Sequence, residues 1–80
     1  MMHLDKMKFL EQFGNQIKLL RKKKGLSLRE LAQLCDIDHS DISKIEKGQR
    51  NIQISTVLEL SKGLEVHPQE LFSFKLNEKS

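Results

Sequence analysis

Residues 27–48 read SLRELAQLCDIDHSDISKIEKG, and no other stretch constrains the chain as tightly. Its apolar positions form two groups at helical spacing: Leu28, Leu31, Ala32 and Cys35, then Ile42 and Ile45. Asp36 and Ile37 make a polar turn between them. Ser27 and Glu30 form an S-x-x-E capping box that opens the first helix. Asp38 is placed to cap the second, and Gly48 closes it. Two short amphipathic helices joined this way, the second with small and polar residues outward, can present side chains to base edges. The stretch therefore reads as a unit that binds double-stranded DNA sequence-specifically, through a few residues between His39 and Lys44. Lys44 faces outward because its neighbours Ile42 and Ile45 face inward.

The flanking sequence supplies a frame. Leu10, Phe13, Ile17 and Leu20 recur at three and four residues, which predicts a helix from about residue 5 to Lys24, ended by Gly25. The run Arg21-Lys22-Lys23-Lys24 suits the negative pole of that helix, and a solvated helix end is a plainer reading of it than a DNA clamp. Residues 49–54 read as a polar loop. Thr56 and Glu59 repeat the capping box, predicting a fourth helix that buries Val57, Leu60 and Leu64 and stops near Gly63. Pro68 suits the first turn of a short fifth helix over 68–73. The expected fold is all-α and compact, with five helices. Residues 1–12 extend helix one, 13–74 form the domain, and 75–80 are a short tail that frays from 77 onward.

Eighty residues allow one small domain. Hydrophobic residues make up 38%, with no Trp or Tyr and four Phe near the two ends. The net charge is +3, unevenly spread. Residues 1–24 carry seven Lys/Arg against two acids, a local +5, whereas 25–50 and 51–80 are each −1. This basic bias suits contact with phosphates. Cys35 is the single cysteine, so no intramolecular disulfide can form; it completes the apolar stripe of helix two, and a reducing cytoplasmic location at the nucleoid is the simplest reading. The longest apolar runs are two or three residues, which excludes a membrane span. No nucleophile–base spacing, phosphate-cradling glycine loop or metal-ligand pattern is present, so neither catalysis, a cofactor nor a small-molecule ligand is expected. His67, beside Pro68, reads as a cap or interface residue.

FGNQIKLLRKKKGLSLRELA at 13–32, DISKIEKGQRNI at 41–52 and LELSKGLEVHPQELF at 58–72 together resemble the Cro and lambda-repressor-like, or Xre, family of helix-turn-helix regulators. Within it, GQRNIQISTVLELSKGLEV is most similar to the small controller proteins of restriction-modification systems, which bind operators as dimers. The resemblance implies a five-helix DNA-binding domain with the recognition helix at about 38–47. It puts base reading on His39, Ser40 and Lys44, with Asp41 either reading a base or stabilising the helix start. Lys44 has the donor for guanine O6 and N7. Phosphate contacts fall on Ser27 with the backbone opening helix two, and on Ser43, Gln49, Arg50 and Asn51. Arg21 and Glu46 match a structural ion pair. Two positions depart from the family pattern: Asp36 stands in the turn where Gly is usual, at a left-handed position, and Leu28 stands where a phosphate-clamping Gln is usual.

One recognition helix buries too little for regulatory specificity, so a homodimer reading half-sites about 34 Å apart is expected. The apolar residues left over near the C-terminal end, Leu64, Val66, Leu71, Phe72 and Phe74, are the candidate interface, or else the cover of the core. The expected activity is transcriptional regulation of a palindromic operator, by blocking or recruiting RNA polymerase. The acidic trio Asp36, Asp38 and Asp41 is a candidate surface for the polymerase. The alternative from a different class is an antitoxin-like protein-interaction module with secondary DNA binding.

Overall fold

The computed structural model describes residues 4–76. They form α1 (Lys6–Lys23), α2 (Leu28–Leu34), α3 (His39–Glu46) and α4 (Ile54–Leu64), followed by a 3-10 turn at Pro68–Phe72, with no strand among the described residues. The tail expected to fray over 77–80 lies outside them. Four α-helices rather than five make the fold. The expected fifth helix is a five-residue 3-10 turn, closed by Glu70 N–H to His67 C=O at 2.9 Å and Ser73 N–H to Glu70 C=O at 3.3 Å. Pro68 lacks an amide, and the Glu70 carboxylate takes the His67 amide at 3.1 Å, so the segment tightens at once instead of propagating.

Every element contributes to one core: Phe13 and Ile17 from α1, Leu31 from α2, Ile42 and Ile45 from α3, Val57, Leu60 and Leu64 from α4, and Leu71 from the 3-10 turn. Burying each such side chain stabilises the fold by about 1.5–3 kcal/mol. Leu64 and Leu71 are 0% exposed. Of the two readings open to them, dimer interface or cover of the core, the second holds for both: they are interior residues with no area left to offer a partner.

α1 starts at Asp5, whose Oδ1 accepts the Met7 amide at 2.9 Å, and it crosses the last turn of α3. The crossing is close because residue 14 is glycine; a Cβ there would lie 2.5 Å from the Glu46 carbonyl oxygen. α2 has the capping box that the sequence predicts, with Glu30 N–H to Ser27 Oγ at 3.0 Å and Ser27 N–H to Glu30 Oε1 at 2.8 Å. Gly48 takes φ +74° past the end of α3.

Several local expectations are corrected. Asp36 does not occupy a left-handed position, since Glu65 is the only non-glycine with positive φ among the described residues. An extended Cys35, φ −144° and ψ 169°, makes the turn instead. Asp38 is the N-cap of α3, yet its carboxylate accepts the Ser40 hydroxyl rather than capping the helix amides. α4 begins at Ile54 after Gln53, so Thr56 and Glu59 form no capping box. α4 stops near Gly63 as expected, one residue later at Leu64, and a Cβ on Gly63 would come 2.8 Å from the Leu31 side chain. The left-handed stop falls on Glu65, φ 56°.

Candidate nucleic-acid interface

α3 is only eight residues long and presents two unlike faces. Ile42, Ile45 and Glu46 are buried, while Ser40 and Lys44 are exposed and His39, Asp41 and Ser43 half-buried. The outward set is therefore a polar surface two turns long, sitting on an apolar base. Ile42, wholly buried, anchors the helix against α2 and α1.

The helix is also held from behind. Arg21 and Glu46 form a buried two-pronged ion pair, Nε to Oε2 at 2.7 Å and Nη2 to Oε1 at 3.0 Å. The third donor group, Nη1, reaches the Leu26 carbonyl at 2.8 Å. Charge-assisted, bidentate geometry of this kind is strong and directional, and it fixes α3 to α1. The Glu46 hydrogen bond raises the Arg21 pKa above its ordinary value, so the guanidinium stays charged at every accessible pH. Three of its five N–H groups are engaged inside the protein and the residue is 7% exposed, so Arg21 serves the fold before it serves DNA.

The polar side chains proposed to meet DNA differ in how free they are. Lys44 makes no ion pair among the described residues. The Ser40 hydroxyl donates to Asp38, whose carboxylate is held below its ordinary range mainly by that bond; Ser40 therefore faces outward as an acceptor. His39 Nδ1 lies 3.7 Å from Asp38 Oδ1. Asp41 pairs with Arg50 at 3.2 Å, bridging α3 to the loop that follows it. Ser27 and its amide are both taken up by the capping box with Glu30, which leaves its hydroxyl hydrogen as the free donor. Gln49, Arg50 and Asn51 are exposed at the C-terminal margin of α3.

Sequence reasoning missed three features. Glu59 on α4 accepts the Asp36 amide at 3.1 Å, a bond across 23 residues that no local pattern signals. Ile54 and Leu58, one helical turn apart, are 84% and 53% exposed; their i, i+4 spacing was the available sign of an outward apolar stripe on α4. Lys18 and Lys47 flank a cleft beside Leu28 and Ser43. The spacing of Ser43 and Lys47 would have put them on one side of α3. Cys35 is half-buried, its thiol 3.3 Å from the Leu31 carbonyl and its pKa pushed up by that burial. No cluster of metal-ligating side chains exists among the described residues, and no helix of these is long and apolar enough to cross a membrane.

A two-turn helix with an exposed polar face, set on a second short helix by buried aliphatics and locked by an internal ion pair, defines a helix-turn-helix DNA-binding domain. The helix-turn-helix family matches residues 17–71, and the chain belongs to it, in its Xre or Cro/C1 type. Members of that family are DNA-binding transcriptional regulators and not enzymes. Control protein C.BamHI of Bacillus amyloliquefaciens is 36% identical over 63 residues, 78% of this chain and 78% of that one. The restriction-modification controller protein C.AhdI from Aeromonas hydrophila superposes with a TM-score of 0.77 at 41% identity, covering 79% of this chain and 96% of that one. The controller protein C.Esp1396I, solved as a tetramer with its natural 35 base-pair operator, superposes with a TM-score of 0.74 at 34% identity, covering 80% of this chain and 84% of that one.

Proposed function

We propose that this protein is a controller-type regulator that binds a palindromic operator as a homodimer, with α3 in the major groove. The observation that carries the proposal is the outward face of α3, exposed at Ser40 and Lys44 and fixed from behind by Arg21–Glu46. Similarity to control proteins, one of them solved with its operator, supports it. Lys44 reads a guanine through O6 and N7, and Ser40 accepts from a base or a bridging water. His39 donates at the start of the helix. Asp41 acts chiefly through Arg50, which it aims; Arg50 with Gln49, Asn51, Ser43 and the Ser27 hydroxyl holds the flanking phosphates.

The dimer surface lies on the outward face of α4. Ile54, Leu58 and Phe72, the last 41% exposed, form its apolar centre, and the half-buried Val66 and Phe74 its margin. Ile54 and Phe72 line one shallow groove of about 260 Å³ with Phe9, Phe13 and Ile52, into which an apolar side chain of the second copy fits. The protein acts in the cytoplasm, and at the promoter it excludes or recruits RNA polymerase. Of the acidic trio, Asp36 keeps its carboxylate free of the partners that hold Asp38 and Asp41.

Selection of bound sequences from a random DNA pool tests the reading. The wild type should return a palindrome with two half-sites. Lys44→Ala and Ser40→Ala should relax one position in each half-site, whereas Arg50→Ala should weaken binding without changing the consensus. No enriched palindrome from the wild-type protein would overturn the proposal. Transcription in vitro from a promoter carrying the selected site then gives the sign of regulation.

A further inference from the structure

The cleft between α1 and α3 has no place in the reading so far. It encloses about 540 Å³ and is lined by Glu11, Asn15, Lys18, Arg21, Leu28, Ser43, Glu46 and Lys47. Two of these neutralise each other, since the three donor groups of Arg21 go to Glu46 and to the Leu26 carbonyl. Leu28, on the α2 side, offers no hydrogen-bonding side chain. The capping box takes up the Ser27 and Glu30 amides beside it and leaves the Ser27 hydroxyl hydrogen free to donate. What remains is Lys18 and Lys47, both exposed and neither in an ion pair among the described residues, with Ser43 and Asn15 as neutral donors. Glu11 is the single unpaired carboxylate lining the cleft, and the two ammonium groups outweigh it.

We propose that this cleft seats one DNA backbone phosphate, held between Lys18 of α1 and Lys47 at the end of α3, with the Ser43 hydroxyl and Asn15 amide donating to it. The proposal rests on the operator-binding reading and adds α1 to the contact surface. Ser43 and Lys47 are one turn apart on α3, so the seat adjoins the edge of the face that carries Ser40 and Lys44. An anion there relieves the repulsion between two cations set around one cleft, and each ammonium supplies three donors. The lysines act as point charges, so the seat fixes position along the duplex and reads no base.

The test compares the wild type with Lys18→Ala/Lys47→Ala, Lys18→Gln/Lys47→Gln and the control Lys24→Ala on the selected operator. Anisotropy titrations between about 50 and 200 mM salt give the slope of log affinity against log salt. Both double variants should lose about 1.8 from the slope of the bound dimer, about 0.9 for the phosphate released in each half-site, with an unchanged selected consensus, while Lys24→Ala keeps the full slope. Ethylation interference should show one phosphate per half-site that blocks the wild type and does not block the double variants. An unchanged slope together with the same set of interfering phosphates overturns the seat and leaves operator binding intact. A changed consensus overturns it too, by making the lysines base readers. If the wild-type protein enriches no sequence, operator binding itself fails and the seat falls with it.

Discussion

The Glu59 carboxylate on α4 holds the backbone of the turn between α2 and α3: Oε1 accepts the Asp36 amide at 3.1 Å while Oε2 takes Lys62 Nζ at 3.2 Å. The turn that sets the angle of the recognition helix thus rests on a helix outside the helix-turn-helix unit. The Asp36 amide, and after it Lys62, hold Glu59 below the ordinary glutamate pKa. A carboxyl group with a lowered folded-state value contributes stability that is fully present above its unfolded value and is lost as pH falls through the folded one. The acid side of the stability profile should therefore be shallower in Glu59→Gln than in the wild type. Thermal unfolding followed from about pH 7 to pH 2 checks this, and parallel acid limbs would count against it. The Asp36 amide resonance should also titrate with Glu59 and stop doing so in the variant.

Removing one partner of the Arg21–Glu46 pair strands the other charge in the interior. Arg21→Ala should cost about 3–5 kcal/mol in urea unfolding. The double change Arg21→Met/Glu46→Leu, which leaves no charge behind, should recover most of that loss. A loss under about 1 kcal/mol in the single variant would mean that water reaches the pair in solution.

Gly14→Ala should destabilise by more than about 2 kcal/mol, because the new methyl meets backbone oxygens of Ile45 and Glu46, which cannot rotate away. Gly63→Ala should cost less, since its nearest neighbour is a terminal methyl of Leu31, although Cys35 Cβ at 3.2 Å limits the adjustment. Denaturant midpoints of the two variants settle the order. The reverse order would mean that α1 can slide on α3.

Ile54→Asp should give a protein that sediments as a monomer at concentrations where the wild type is dimeric, with little change in its melting temperature, because residue 54 is 84% exposed. Leu64→Asp, at a position with no exposure, should instead unfold the chain. Equal masses for the wild type and Ile54→Asp across a concentration series would remove α4 as the dimer face.

The legible parts of this fold were those governed by nearest-neighbour periodicity and caps. Leu31, Ile42, Ile45, Val57 and Leu60 fall inward at helical spacing, and Ser27 with Glu30 carries its own start signal, so α2 and α3 could be placed to within a residue or two. Where a local signal was overruled by a distant partner, the reading slipped. Thr56 and Glu59 have the spacing of a capping box, but Glu59 is drawn to an amide 23 residues back, and α4 starts at Ile54 without a side-chain cap. Gly63 marked the end of α4 to within one residue, but its close packing under α2 carries no local signal. The choice between interface and core cover at the C-terminal end was open for the same reason. Apolar character alone does not tell Leu64 and Leu71, which close the core, from Ile54 and Leu58, which leave it. On α3 the outward face followed from Ile42 and Ile45. The internal partners that restrict it, Asp38 with Ser40 and Asp41 with Arg50, are side-chain pairings that neither periodicity nor cap signals foretell.

The tight seat of Gly14 on the last turn of α3 has a mechanical consequence. With no side chain between the two backbones and a buried ion pair alongside, α1 and α3 form a single stiff body, and the reading helix cannot tilt to suit an imperfect site. Compliance at the contact must come from the duplex. Operators should then differ in affinity according to how readily their uncontacted steps bend, even where every touched base is the same.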